Sequence, residues 1–170
     1  MSWVNQLKEA LPEYAKDTRL NLDAVINRST LNSGMASSCA LAAAMATGNG
    51  KLVSLIQSGI EDTKERDAAL IASAIMAQNN VWYPYIEMAE DEQLGGLPAQ
   101  LRMNAIATHG GTTKLNFETY SLAASIVGKC HFCVKAHYDT LRKEGMTVEQ
   151  LRDVGRIAAV INSVAKVLNS

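Results

Sequence analysis

The sequence predicts an all-α fold, on three observations. Apolar residues recur at helical spacing, and alternating β-branched runs that would mark half-buried strands are absent. The chain is rich in Ala, Leu, Ile and Met and holds only 3 prolines in 170 residues, so few positions oppose long helices. Glycines, asparagines and side-chain caps fall where the periodic segments stop.

Each element follows in order. "MSWVNQLKEALPEYAKD" is charged and amphipathic, and Pro12 after Leu11 sits where a first helical turn tolerates it. "SGMASSCALAAAMATGNG" reads as a buried small-residue helix closed by Gly48 and Gly50, with Cys39 as one of its packing residues. "EDTKERDAALIASAIMAQNN" begins acidic and ends at paired asparagines, the order that helix termini prefer. Pro84 then interrupts or kinks the chain. "EDEQLGGLP" is a loop, Pro98 opens a further helix, and "HGGTTKLN" is another loop. Asn116 is an N-cap candidate for the helix that follows, with Glu118 in its first turn. Gly145 ends one helix, and Thr147 with Gln150 three residues on forms a capping box for the last.

A weak internal repeat accompanies this pattern. Sliding by 51 residues lays 67–82 over 118–133, with Asp67 on Glu118, Ala72 on Ala123 and Ile75 on Ile126. Asn79 and Trp82 fall on Cys130 and Cys133, so the expectation is a compact multi-helix domain over 1–170. It would be a duplicated helical unit whose second copy carries a C-x-x-C at a helix start.

Composition excludes several classes. Hydrophobic residues are 48% and charged residues 19%, a globular balance. A net charge of −1 leaves no electrostatic footprint for nucleic acid or anionic lipid. The apolar stretches are too short to span a bilayer, and the N-terminus lacks the apolar core of a signal peptide. Three cysteines do not make a secreted disulfide scaffold, so a cytoplasmic setting with reduced thiols is expected.

The chemistry concentrates in "GKCHFCVKAH", residues 128–137. Haem attachment requires His directly after the second Cys, and Val134 stands there. Zinc has three ligand types at short spacing in Cys130, Cys133 and His137, but no second ligand cluster. Plain helix packing also uses buried cysteine. A redox pair fits best, because positions i, i+3 and i+7 place Cys130, Cys133 and His137 on one stripe of a helix. A helix start at Gly128–Lys129 would favour a thiolate at Cys130. Glu118 would lie about 22 Å from Cys133 on one continuous helix. It can meet His137 only if the chain folds back near Gly128; the two would then form a carboxylate–imidazole relay. His131 is expected to face solvent and Phe132 to lie in the core or at a subunit contact.

The pattern E-x11-C-x-x-C-x3-H, at Glu118, Cys130, Cys133 and His137, resembles the signature of the alkyl hydroperoxide reductase D family, within the carboxymuconolactone decarboxylase superfamily. "ALPEYAKDTRLNL", "ASAIMAQNNVWY", "LRMNAIA" and "NFE" extend the resemblance over most of the chain. The resemblance implies an all-helical homotrimer with no bound cofactor or metal. It also implies a thiol peroxidase and disulfide reductase that regenerates a peroxiredoxin, the alkyl hydroperoxide reductase C component. Electrons would come from dihydrolipoamide on a lipoyl-carrying protein. Carried over by position, Cys133 is the attacking thiol, Cys130 its resolving partner in a redox disulfide, and Glu118 with His137 the relay. The chain departs from the family where members often have His immediately before the second Cys: Phe132 stands there, and the role is not transferred to His131.

Overall fold

The computed structural model describes residues 2–170, and every regular element among them is helical. In order they are α1 (Trp3–Ala10), a 3₁₀ turn (Glu13–Ala15) running into α2 (Lys16–Asn27), α3 (Ser33–Ala46), α4 (Gly50–Gln57) and α5 (Thr63–Ala89). The short α6 (Glu92–Gly95) and α7 (Asn104–Thr108) follow, then a second 3₁₀ turn (His109–Gly111), α8 (Lys114–Gly128), α9 (His131–Lys143) and α10 (Val148–Leu168). The all-α expectation holds.

The core is built on α3 and α8. Ala36, Cys39, Ala40, Leu41, Ala42, Ala43 and Ala44 of α3 are fully buried, so this helix is covered nearly all round. Its alanines let α5, α8 and α10 pack close to its backbone. Helix α8 in turn packs on α3, α5, α9 and α10, which makes it the element that carries the site into the interior. Cys39 is packing, as expected, and burial pushes its thiol pKa far up, which leaves it unreactive.

Local caps behave as the sequence indicates at α10, where Thr147 and Gln150 form the capping box. Gly145, at φ +95, ends the preceding helix in a conformation that favours glycine. Several boundaries differ. Helix α5 runs on past the paired asparagines and through Pro84 to Ala89. One missing N–H does not end a helix that is already long and whose face is buried on its neighbours. Pro98 opens no helix; α7 starts at Asn104. "EDEQLGGLP" contains the single turn α6, capped by Asp91. The N-cap of α8 is Thr113 rather than Asn116, because Thr113 Oγ1 accepts the N–H of Asn116 at 3.2 Å. Asn116 instead donates from its amide to Glu65 at 3.1 Å, and Tyr120 and Thr112 donate their hydroxyls to the same carboxylate. The two segments of the proposed repeat differ in shape: 67–82 is unbroken helix, whereas 118–133 breaks after Gly128.

Asp153 ties α10 to the α2–α3 connection. It is 1% exposed and accepts from the N–H and hydroxyl of Thr30 at 2.8 and 2.9 Å and from Arg156 at 2.9 Å. Burial acts to raise its pKa, but the Thr30 and Arg156 hydrogen bonds outweigh it and hold the carboxyl below its ordinary value. A depressed folded pKa adds stability above the unfolded value, near 3.9, that is lost as pH falls through the folded pKa. D153N is therefore expected to lower unfolding free energy by about 2–4 kcal/mol at pH 7. Urea titrations should show the gap from wild type closing below about pH 4; a gap independent of pH would contradict it.

Candidate functional site

The site begins where α8 stops. Gly128 is its last residue, and a Cβ there would lie 2.0 Å from Asn80 Nδ2, so only glycine allows α5 this close. Asn80 uses the approach to donate to the Ala124 carbonyl at 3.2 Å. Lys129 follows in the left-handed region, φ +56, and turns the chain so that α9 doubles back beside α8. The Cys130 N–H closes the turn on the Ser125 carbonyl at 3.4 Å.

Cys130 is the N-cap of α9. Its sulfur receives the backbone N–H of Cys133 at 3.2 Å, one of the N–H groups that a helix start leaves without an intrahelical partner. Negative charge on this sulfur is therefore favoured by both the hydrogen bond and the helix dipole. Cys130 and Cys133 are joined as a disulfide, with Cα atoms 5.3 Å apart. Cys130 is fully buried and Cys133 is 3% exposed. On the other side, Cys130 Sγ lies 4.0 Å from the Asn79 carbonyl of α5.

His137 follows one turn after Cys133. Its Nδ1 lies 2.6 Å from Glu118 Oε2, and both side chains are about 85% buried (15% and 13% exposed). The reversal at Gly128–Lys129 thus brings Glu118 of α8 to α9, a contact that one straight helix forbids. Glu118 lies in the second turn of α8 and points at a partner, which is more than complementing the helix dipole. The other ring nitrogen, Nε2, lies 3.1 Å from the thioether of Met76 on α5.

The remaining candidates fall outside this cluster. His131 is solvent-facing, as expected, with its side chain 85% exposed and Glu87 at 3.7 Å. Phe132 is not core: it is 56% exposed and stacks on Tyr83 with ring centroids 4.4 Å apart. The two rings wall a cleft of about 590 Å³ with Trp82, Ile86 and Leu97. His109 ends α7, with its ring 6.3 Å from Phe117. Met76 and Asn79 are site neighbours that sequence reasoning misses. Both lie in "ASAIMAQNNVWY", but their contacts with His137 and Cys130 span 61 and 51 residues, and no local pattern encodes such a pairing.

A helical chain that holds a C-x-x-C pair at a helix start, backed by a carboxylate–imidazole pair, belongs to the class of helical dithiol proteins. Comparison with known proteins narrows the class. The family model described as "Carboxymuconolactone decarboxylase family" matches residues 92–170. A protein from Rhodospirillum centenum named alkyl hydroperoxide reductase AhpD is 41% identical over 170 residues, covering 98% of this chain and 91% of that relative. Proteins of the same name from Coxiella burnetii and Maricaulis maris are 42% and 40% identical. Those alignments cover 94% and 97% of this chain, and 93% and 96% of the relatives. The chain belongs to the alkyl hydroperoxide reductase AhpD family.

Proposed function

We propose that this chain is an antioxidant dithiol enzyme that reduces alkyl hydroperoxides. The observation that carries the reading is the Cys130–Cys133 pair at the start of α9 beside the Glu118–His137 pair. In the reduced protein, the Cys133 thiolate attacks the terminal peroxide oxygen, the O–O bond breaks, and the alcohol leaves after taking up a proton. Cys133 becomes a sulfenic acid. The Cys130 thiol then displaces it, forming the disulfide and releasing water. Two electrons and two protons from a dihydrolipoyl group on a carrier protein reopen the disulfide and leave the lipoyl disulfide. The same dithiol reduces the disulfide of a partner peroxiredoxin, the alkyl hydroperoxide reductase C component, in the cytoplasm. Glu118 and His137 move the protons. Phe132 between the cysteines cannot carry a proton, which supports disulfide exchange as the faster of the two activities.

The test is a count of free thiols in the reduced native protein before and after one equivalent of alkyl hydroperoxide, with mass mapping of any bridge. Three thiols should fall to one, with the bridge at Cys130–Cys133 and Cys39 still free. Three unchanged thiols would remove the proposal.

The working unit is proposed to be a homotrimer. Val81, Tyr85 and Met88 support this: spaced i, i+4 and i+7 on α5, they are 70%, 49% and 75% exposed and form an uncovered apolar stripe. Sedimentation equilibrium should give three times the chain mass, and V81E/M88E should shift it to one; a monomeric wild type would contradict the assembly.

A further inference from the structure

We infer that the cleft beside the dithiol is a binding subsite for the apolar substituent of the hydroperoxide, with Phe132 and Tyr83 as its specificity-determining walls. This rests on the activity proposed above and concerns the part of the substrate that does not react.

The place of the cleft points to that occupant. His131 and Phe132 both line it, and they are the two residues between Cys130 and Cys133. One wall is therefore the redox segment itself. Consecutive Cα atoms lie about 3.8 Å apart, so a peroxide held at Cys133 with a substituent of several carbons brings that substituent to the Phe132 ring. The walls say what fits there. Trp82, Tyr83, Ile86, Leu97 and Phe132 are aromatic or aliphatic, and a cleft of about 590 Å³ has the size of a small-molecule site. Phe132 and Tyr83 stack with their planes 23° apart, which leaves flat apolar surface for an aryl or branched alkyl group to pack on. Phe132 is 56% exposed, so a substituent seated against it removes apolar area from water on both partners. Hydrogen peroxide has no substituent and gains nothing from these walls.

The rim favours a small molecule over a second copy of the chain. Glu87 and His131 stand there 3.7 Å apart, with side chains 61% and 85% exposed. A subunit seated over the cleft would strip water from both polar groups, which is costly. A ligand lying between the apolar walls leaves them solvated. The cleft also opens away from the apolar stripe assigned to the homotrimer, because Trp82, Tyr83 and Ile86 stand roughly 100–200° round α5 from Val81.

Binding and turnover test this separately. The probe is 2-phenyl-2-propanol, the alcohol left when cumene hydroperoxide is reduced. Added to the oxidised full-length protein, it should change tryptophan emission saturably, and W82F should lose the response. The other tryptophan, Trp3, is 5% exposed in the core and serves as the silent reference. F132A and L97E should weaken the binding. In turnover, both should lower the ratio of kcat/KM for cumene hydroperoxide to that for hydrogen peroxide roughly tenfold. Leu97 is 63% exposed and remote in sequence from the cysteines, so L97E puts a charge into the cleft without disturbing the redox segment. Absence of a saturable response, or equal losses for the two peroxides, would overturn the inference. A silent titration together with a lower sedimentation mass in F132A would hand the cleft to a second copy of the chain and overturn it as well. The alcohol titration needs no turnover, so failure of the proposed activity and failure of the subsite are distinct results.

Discussion

Replacing Cys133 by Ser is expected to abolish hydroperoxide turnover with dihydrolipoamide, a loss on the order of a thousandfold or more in kcat/KM. A serine hydroxyl has nearly the size of the thiol, but it is not ionised near neutral pH and cannot pass through a sulfenic acid. The fold should survive, because the pair is joined over only three residues of sequence and closes a very short loop. The companion C130S separates the two roles. Cys133 would still attack and consume about one equivalent of peroxide, but no intramolecular bridge could form. A dimedone-trapped sulfenic acid on residue 133 in C130S, and none in C133S, is the expected mass-spectrometric result. Trapping on Cys130 in C133S, with activity retained, would reverse the assignment. That reversal has a physical basis to be tested, since the Cys133 N–H points at Cys130 Sγ and favours charge there.

Changing Glu118 to Gln should slow proton movement while leaving the helices in place. Glutamine keeps the length and an acceptor oxygen, so the Nδ1–H donor is still satisfied; what disappears is the negative charge at 2.6 Å. A charge-assisted hydrogen bond contributes about 1.5–3 kcal/mol, which converts to a loss of roughly ten- to a hundredfold if most of it acts on proton transfer. The loss should appear in the pH dependence of thiol alkylation in the reduced protein, with the melting temperature little changed. An unchanged alkylation profile would reduce Glu118 to a packing residue of α8. A fall in melting temperature with no change in profile would lead to the same assignment.

Much of the site is legible in the sequence. Cys130, Cys133 and His137 fall on one stripe because helical periodicity alone puts i, i+3 and i+7 together. The distance along a straight helix says only that Glu118 and His137 can meet if the chain reverses near Gly128; the reversal at Lys129 and the contact itself come from the structure. The Thr147 capping box is legible because both halves lie within one turn. The departures share a cause as well. Local propensity misleads at the paired asparagines and at Pro98, since α5 continues past the former and no helix begins at the latter. Asn116 has the chemistry of a cap, but its amide is drawn to Glu65, 51 residues away. Phe132 has the chemistry of core, but sits one step round the helix from the buried cysteines and stacks on Tyr83 at the surface.

Short-range physics written into the chain accounts for the all-helical class, the Thr147 capping box and the C-x-x-C stripe. These depend on backbone periodicity and on hydrogen bonds that reach no further than a turn. The partners of the site are set by packing. Close approach of α5 to α8 at Gly128, possible because no Cβ intervenes, goes with a methionine of α5 against the relay histidine and an α5 carbonyl beside the Cys130 sulfur. The 51-residue slide sets Asn79 against Cys130 as equivalent positions and does not say that they touch; both that contact and the 61-residue one arise from how whole helices cross.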